Sequence, residues 1–256
     1  MGLMGGMGAA WPGVEAADTA AGKKTGFYVM ENFYMKNGSQ MPRLHEYLSK
    51  GAIPSLRKAH GGPVIALEAL VAAHMPQVCV LTGFSSLDEM WKVHGNVTTD
   101  ESWLAKYRAW EDEPEPPYEN RSGTLLQATP YSPEIEPAAT EARKTPRIFE
   151  LRVYHSPTGR QLQALHERFA GPEIKIFHRC GIHPVLYSST VFGQAMPNLT
   201  YLIPFESLAE REKAWAAFGA DPEWQKVRAE SIAKSGQISS VIQMSLYRAT
   251  PYSPVQ

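Results

Sequence analysis

Two cysteines in 256 residues cannot supply a disulfide framework. Cys79 falls in an apolar strand and Cys180 at a helix end, so both read as unpaired buried thiols. Charge of either sign is also short of a surplus. With 25 Lys and Arg against 26 Asp and Glu, the formal charge is -1 and the pI near 6.7. No basic field is left for nucleic acid or an acidic membrane, and neither is an expected partner. No apolar run reaches the roughly 20 residues that a membrane-spanning helix needs. The signatures H-E-x-x-H, paired C-x-x-C, G-x-S-x-G, the P-loop and G-x-G-x-x-G are all missing, which weakens the hydrolase, NTPase and metal readings. No metal ligand set is assigned. Lys and Arg are absent before Lys23, where a Gly-rich stretch ends in Val14-Glu15-Ala16, a small-x-small pattern. Residues 1–22 therefore read as a flexible tail or an export-signal remnant. The expected location is cytoplasmic, with export to the periplasm as the alternative.

What is present is a repetition. Met196 minus Met75, His166 minus His45, Trp224 minus Trp103 and Tyr252 minus Tyr131 all give 121, so residues 27–133 align with 148–254 without a gap. L-H-E recurs at 44 and 165, P-V at 63 and 184, D-x-x-W at 100 and 221, and A-T-P-Y-S-P at 128 and 249. The expected organisation is a tail (1–22), repeat one (23–133), a Pro- and Glu-containing linker (134–146) and repeat two (147–256). In each repeat, hydrophobic alternation predicts strands and 3.6-residue periodicity predicts helices, in the order β-α-β-β-α-β. The predicted strands are 27–35, 64–72, 77–84 and 124–128, then 147–155, 183–191, 198–205 and 238–247. The first helices are predicted to run from 39 to about 60 and from 158 to 179. A ferredoxin-like unit covers one face of its sheet with helices and leaves the other bare. Packing two such sheets together gives an α+β fold, a pseudo-dimeric α+β barrel.

R-I-F-E-L-R-V-Y at 147–154, E-I-K-I-F-H-R-C-G-I-H-P-V at 173–185, M-P-N-L-T-Y-L-I-P-F-E-S-L at 196–208 and D-P-E-W at 221–224 resemble the NIPSNAP family. Repeat two carries the resemblance over nearly its full length, and repeat one is a diverged copy. The resemblance implies the dimeric α+β barrel, a fold also used by haem-handling proteins, cofactor-independent monooxygenases and small-ring isomerases. It settles no activity.

Candidate ligand-binding residues are His178, His183, Arg152, Tyr154, Tyr201, Asn198 and His166. His178 closes a helix, where a polarised imidazole is favoured, with His183 five residues on. It reads as a structural cap or a ligand contact. No cofactor is expected. Haem on His178 is the alternative that related barrels imply, although repeat one has Arg57 there. Alternation in the first strand of repeat two puts Glu150, Arg152 and Tyr154 on one face and Phe149, Leu151 and Val153 on the other. The apolar set suits packing on helices, so the polar set is expected to face the barrel interior or a cavity. Arg152 corresponds to Glu31, and the two could pair near a pseudo-twofold axis, or Arg152 could pair locally with Glu150. His45 and His166 sit at the edge of an apolar helical stripe, as structural hydrogen-bonding groups or pocket acids and bases. Asn198 belongs to a Met-Pro-Asn turn. The leading expectation is a homo-oligomer that binds, and as an enzyme would transform, a small hydrophobic or aromatic ligand. The competing one is a non-catalytic adaptor working through its surface and exposed sheet edges.

Overall fold

The structure, a computed structural model, describes residues 24–135 and 145–256. The expected tail and most of the expected linker lie outside these residues. Repeat one comprises β1 (Phe27–Tyr34), α1 (Gln40–Tyr47), α2 (Ile53–Ala59), β2 (Val64–Val71), β3 (Gln77–Phe84), α3 (Leu87–Thr98), α4 (Glu101–Glu111) and β4 (Asn120–Ala128). Repeat two comprises β5 (Ile148–His155), α5 (Gly159–Arg168), α6 (Ile174–Arg179), β6 (Leu186–Phe192), β7 (Asn198–Phe205), α7 (Leu208–Ala220), α8 (Pro222–Ser235) and β8 (Val241–Ala249). Adding 121 to the bounds of β1, β3 and β4 gives those of β5, β7 and β8 (27 + 121 = 148).

Each expected long first helix is instead divided by one π-helical turn, Leu48–Ala52 in repeat one and Phe169–Glu173 in repeat two. Pro172 lies inside the second, where it cannot donate to the preceding turn, and Gly171 beside it leaves helical geometry. β6 starts at Leu186, so His183 stands before the strand. β4 starts at Asn120 because it pairs with β1 along the whole strand.

Among the described residues eight strands close into one antiparallel barrel, in the order β1-β3-β2-β8-β5-β7-β6-β4. The seams between repeats are β2 with β8 and β4 with β6. Closure uses up the outer strand edges of both repeats, so the sheet edges expected to serve oligomerisation are paired within the chain. The barrel interior is apolar and shared, with Tyr28, Met30, Ile65 and Leu81 from repeat one against Phe149, Leu186, Leu202 and Tyr247 from repeat two. Cys79 is in that core, where burial pushes its thiol up to about 12. Cys180 is free and only half-buried, not fully buried as expected.

The motifs common to both repeats are structural devices. In D-x-x-W the Asp caps a helix: Asp100 accepts from the Trp103 amide at 3.2 Å and Asp221 from that of Trp224 at 2.9 Å. A-T-P-Y-S-P follows β4 and β8 and crosses the seam. Thr129 donates its amide to Tyr187 O and Thr250 to Ala66 O, while Ser132 accepts from the Tyr187 amide and Ser253 from that of Ala66. The partners differ by the repeat offset, 187 minus 66 being 121, so each repeat clips the other in the same way.

Candidate functional site

The alternation on β5 is as expected, but the two sets face the other way. Phe149 and Leu151 belong to the barrel interior, and Tyr154 packs with Leu165, Phe169 and Ile176 of the helical layer. The interior side of β5 meets the apolar core shared by both repeats, whereas the helices bring polar partners to its outer face. Glu150, fully buried, accepts from Arg152 Nη1 at 2.5 Å, from Arg211 Nε at 2.6 Å and from Trp215 Nε1 at 2.9 Å. The Arg152 guanidinium lies 4.3 Å from the Trp215 ring and donates to the Tyr154 hydroxyl at 3.1 Å. The buried carboxylate is thus satisfied by three donors, while Arg152 Nε has no hydrogen-bond partner among the described residues. Arg152 thus pairs locally. Glu31 instead meets Arg121 at 3.1 Å, so no Glu31–Arg152 pair forms.

The structure brings Arg152, Tyr154 and Tyr201 together, with the Tyr154 and Tyr201 rings 5.2 Å apart, and burial raises both phenols. His178 and His183 are elsewhere, exposed and stacked on each other at 5.0 Å. Partial burial and the neighbouring His183 lower the His178 pKa. His178 is not among the residues that line the cavity of repeat one. Asn198, fully buried, holds the β6–β7 turn, donating to Gln194 O and Ala195 O and accepting from Thr190 and Thr200. His166 joins Tyr131 of repeat one at 2.6 Å across the seam and Ser189 of its own repeat at 2.9 Å. Among the described residues no group of three or more His, Cys, Asp or Glu could hold a metal ion.

A cavity of about 750 Å³ lies in repeat one between the outer face of the sheet and the helices. Its floor is Val29, Glu31, Phe33, Val80, Thr82, Arg121 and Gly123. One wall is aromatic. Trp103, Tyr107 and Trp110 follow i, i+4, i+7 spacing on α4. Tyr47 stacks on Trp110 at 4.4 Å and Trp103 on Tyr107 at 4.8 Å. Trp103 Nε1 donates to the Tyr47 hydroxyl at 3.1 Å. Burial raises the Tyr47 phenol; burial and then the bond to Glu111 push Tyr107 up to about 12, so both are neutral hydroxyls. At the rim stand Trp91, 66% exposed, and Phe192, 74% exposed. Phe192 belongs to β6, so repeat two completes this site across the β4–β6 seam, where the register shifts at Leu125.

The 121-residue offset explains why there is space here. Val80, Leu48, Leu56 and Val97 of the cavity correspond to Tyr201, Phe169, Phe177 and Phe218 of repeat two, all buried. Val29, Glu31, Met90 and His94 correspond to Glu150, Arg152, Arg211 and Trp215, the members of the buried network. The same layer is therefore filled in repeat two and hollow in repeat one. None of these cavity residues is among the candidate ligand-binding residues read from the sequence, although Glu31 was weighed there as a partner of Arg152 and Trp103 marked the repeat. The 103, 107, 110 spacing and the loss of volume at four aligned positions are signals that could have found them.

A β-α-β-β-α-β repeat with these crossing and capping motifs matches a known family. Residues 149–254 match the NIPSNAP family model. The match covers repeat two and leaves out repeat one, the half with the cavity. No curated protein matches the chain. Similar solved structures include a monooxygenase-like protein from Fusobacterium nucleatum, 8% identical, with TM-score 0.56 over 88% of this chain and 93% of that one. An anthrone oxidase-like protein is 14% identical, with TM-score 0.55 over 89% and 92%. A chlorite dismutase-like protein is 12% identical, with TM-score 0.51 over 90% and 96%. At these identities the likeness shows the dimeric α+β barrel architecture alone. NIPSNAP likeness and cavity thus sit in different repeats. No helix among the described residues is long and apolar enough to cross a membrane.

Proposed function

We propose that the chain binds a small, largely apolar aromatic molecule in the cavity of repeat one. The observation that carries this reading is the hollowing of one repeat where its twin is solid. Both repeats share the strand order, the Asp caps of D-x-x-W and the A-T-P-Y-S-P seam contacts, yet Val80, Leu48, Leu56 and Val97 stand where repeat two has aromatic rings. An unfilled layer costs stability, since each lost ring forfeits burial and contacts. A cavity of about 750 Å³ is within the range of small-molecule sites, and stacked Tyr47, Trp110, Trp103 and Tyr107 offer planar faces to a planar ligand.

The test uses N-phenyl-1-naphthylamine, a neutral aromatic probe whose fluorescence rises in apolar surroundings. The full chain is expected to bind it saturably, and the double variant Val80→Tyr, Leu56→Phe, which copies Tyr201 and Phe177, to lose it while melting at or above the wild-type temperature. Undiminished binding by a folded double variant would remove the cavity as the site.

A further inference from the structure

We infer that the ligand of the repeat-one cavity carries an anionic group, a carboxylate or similar oxyanion, which Arg121 holds in the gap above Gly123. This rests on the cavity reading above and adds the ligand's charge. Glu31 is opposite Gly123 across the β1–β4 ladder, and Phe33 is opposite Arg121. A Cβ placed on Gly123 meets nothing within 4 Å, so the floor between the two charged side chains is open. Repeat two has Met244 there and Ile242 in place of Arg121. The cation and the space beside it therefore occur together, in the hollow repeat only.

Arg121 is only partly satisfied. Its one ion pair among the described residues is a single contact, Nη2 to Glu31 Oε1 at 3.1 Å, with side chains 45% and 35% exposed. A half-exposed, one-point pair contributes little and is exchanged at small cost. A guanidinium fork fits a planar carboxylate through two parallel N–H donors, and this bond strengthens as a seated ring excludes water. Arg152 in repeat two, by contrast, is committed to a buried carboxylate that also serves Arg211 and Trp215. A cationic ligand fits less well despite the aromatic walls. Arg121 already lies 5.8 Å from the Phe33 ring centre and would repel it.

Two probes share one ring skeleton and differ in a sulfonate: 8-anilinonaphthalene-1-sulfonate and neutral N-phenyl-1-naphthylamine. The wild type is expected to bind the sulfonate about tenfold more tightly than the neutral probe, the worth of one charge-assisted contact. Arg121→Met is expected to abolish that preference while leaving neutral-probe affinity unchanged, which also reports that the variant is folded. Arg121→Lys should restore part of it, and Glu31→Gln should raise sulfonate affinity by removing the competing carboxylate. Equal affinity for the two probes, or an Arg121→Met variant that weakens both alike, would overturn the charge assignment and leave the cavity reading intact. Tighter binding of cationic thioflavin T, lost in Glu31→Gln, would overturn it too. If neither naphthyl probe binds saturably, the cavity reading itself fails.

Discussion

His166 of repeat two is hydrogen-bonded to Tyr131 of repeat one, Nδ1 to phenolic oxygen at 2.6 Å, and the twin bond joins His45 of repeat one to Tyr252 of repeat two at 2.7 Å. Each repeat thus inserts a tyrosine from its A-T-P-Y-S-P segment against a helix histidine of the other. The second nitrogens differ. His166 Nε2 meets Ser189 at 2.9 Å, and His45 Nε2 meets Glu68 at 3.3 Å.

These bonds are predicted to latch the barrel. Tyr131→Phe and Tyr252→Phe keep the ring and delete one hydrogen bond each, so each should lower unfolding stability by about 1 kcal/mol. The pair of substitutions should cost close to the sum. Urea unfolding monitored by tryptophan fluorescence measures this, and a Tyr131→Phe protein as stable as wild type would show the bond to be dispensable.

Burial pushes the His166 imidazole down to about 4. Below its ordinary value of about 6.5 the unfolded chain takes up a proton that the folded one refuses. The His166 contribution is therefore complete above pH 6.5 and lost as pH falls through 4, on the order of 3 kcal/mol in all. Glu173 has the opposite sign. Burial, opposed by Arg168 at 2.7 Å, raises it to about 7, so its contribution is present below about 4.5 and lost as pH rises through 7. The difference in stability between wild type and His166→Gln isolates the histidine: the two curves should converge on acidification from pH 7 to 4. Parallel curves would contradict the assignment.

The exchange at the aligned positions 80 and 201 should be asymmetric. Tyr201 is fully buried and ringed by Tyr154, Phe169 and Tyr187, so Tyr201→Val opens a void and should cost about 3 kcal/mol. Val80→Tyr enters existing space and should change stability by about 1 kcal/mol or less. Thermal melts of the two variants decide it. Equal and large losses would mean that the cavity in repeat one closes up in solution.

Much of the architecture was legible because it is local or repeated. The strands 77–84 and 198–205 follow from alternation and match β3 and β7 to the residue. The D-x-x-W recurrence at 100 and 221 marks two helix starts, where each Asp side chain accepts from amides two or three positions on. The π turns were missed because Gly51 and the Gly171–Pro172 pair leave the apolar stripe in phase on both sides, so periodicity alone reads one helix.

The candidate site was placed in repeat two because chemistry-bearing residues cluster there. In the folded chain several of those residues are engaged by neighbours. Arg152 pairs with Glu150, Tyr131 and Ser189 engage His166, and Asn198 holds a turn. The residues of the cavity are individually plain: a valine for a tyrosine, a leucine for a phenylalanine, a glycine for a methionine.

The sequence by itself determined two copies of a β-α-β-β-α-β unit, because an unbroken offset and two periodicities depend only on neighbours along the chain. It determined which residues of β5 share a face, because the pleat alternates whatever surrounds it. Only the tertiary structure decided which face is inside. The answer depends on barrel closure, which presses the apolar faces of both repeats together and turns Glu150 and Arg152 toward the helices. Only the tertiary structure likewise decided that repeat one is hollow, since a cavity is made by side chains brought to one place from seven strands and α-helices of repeat one and from β6 of the opposite repeat.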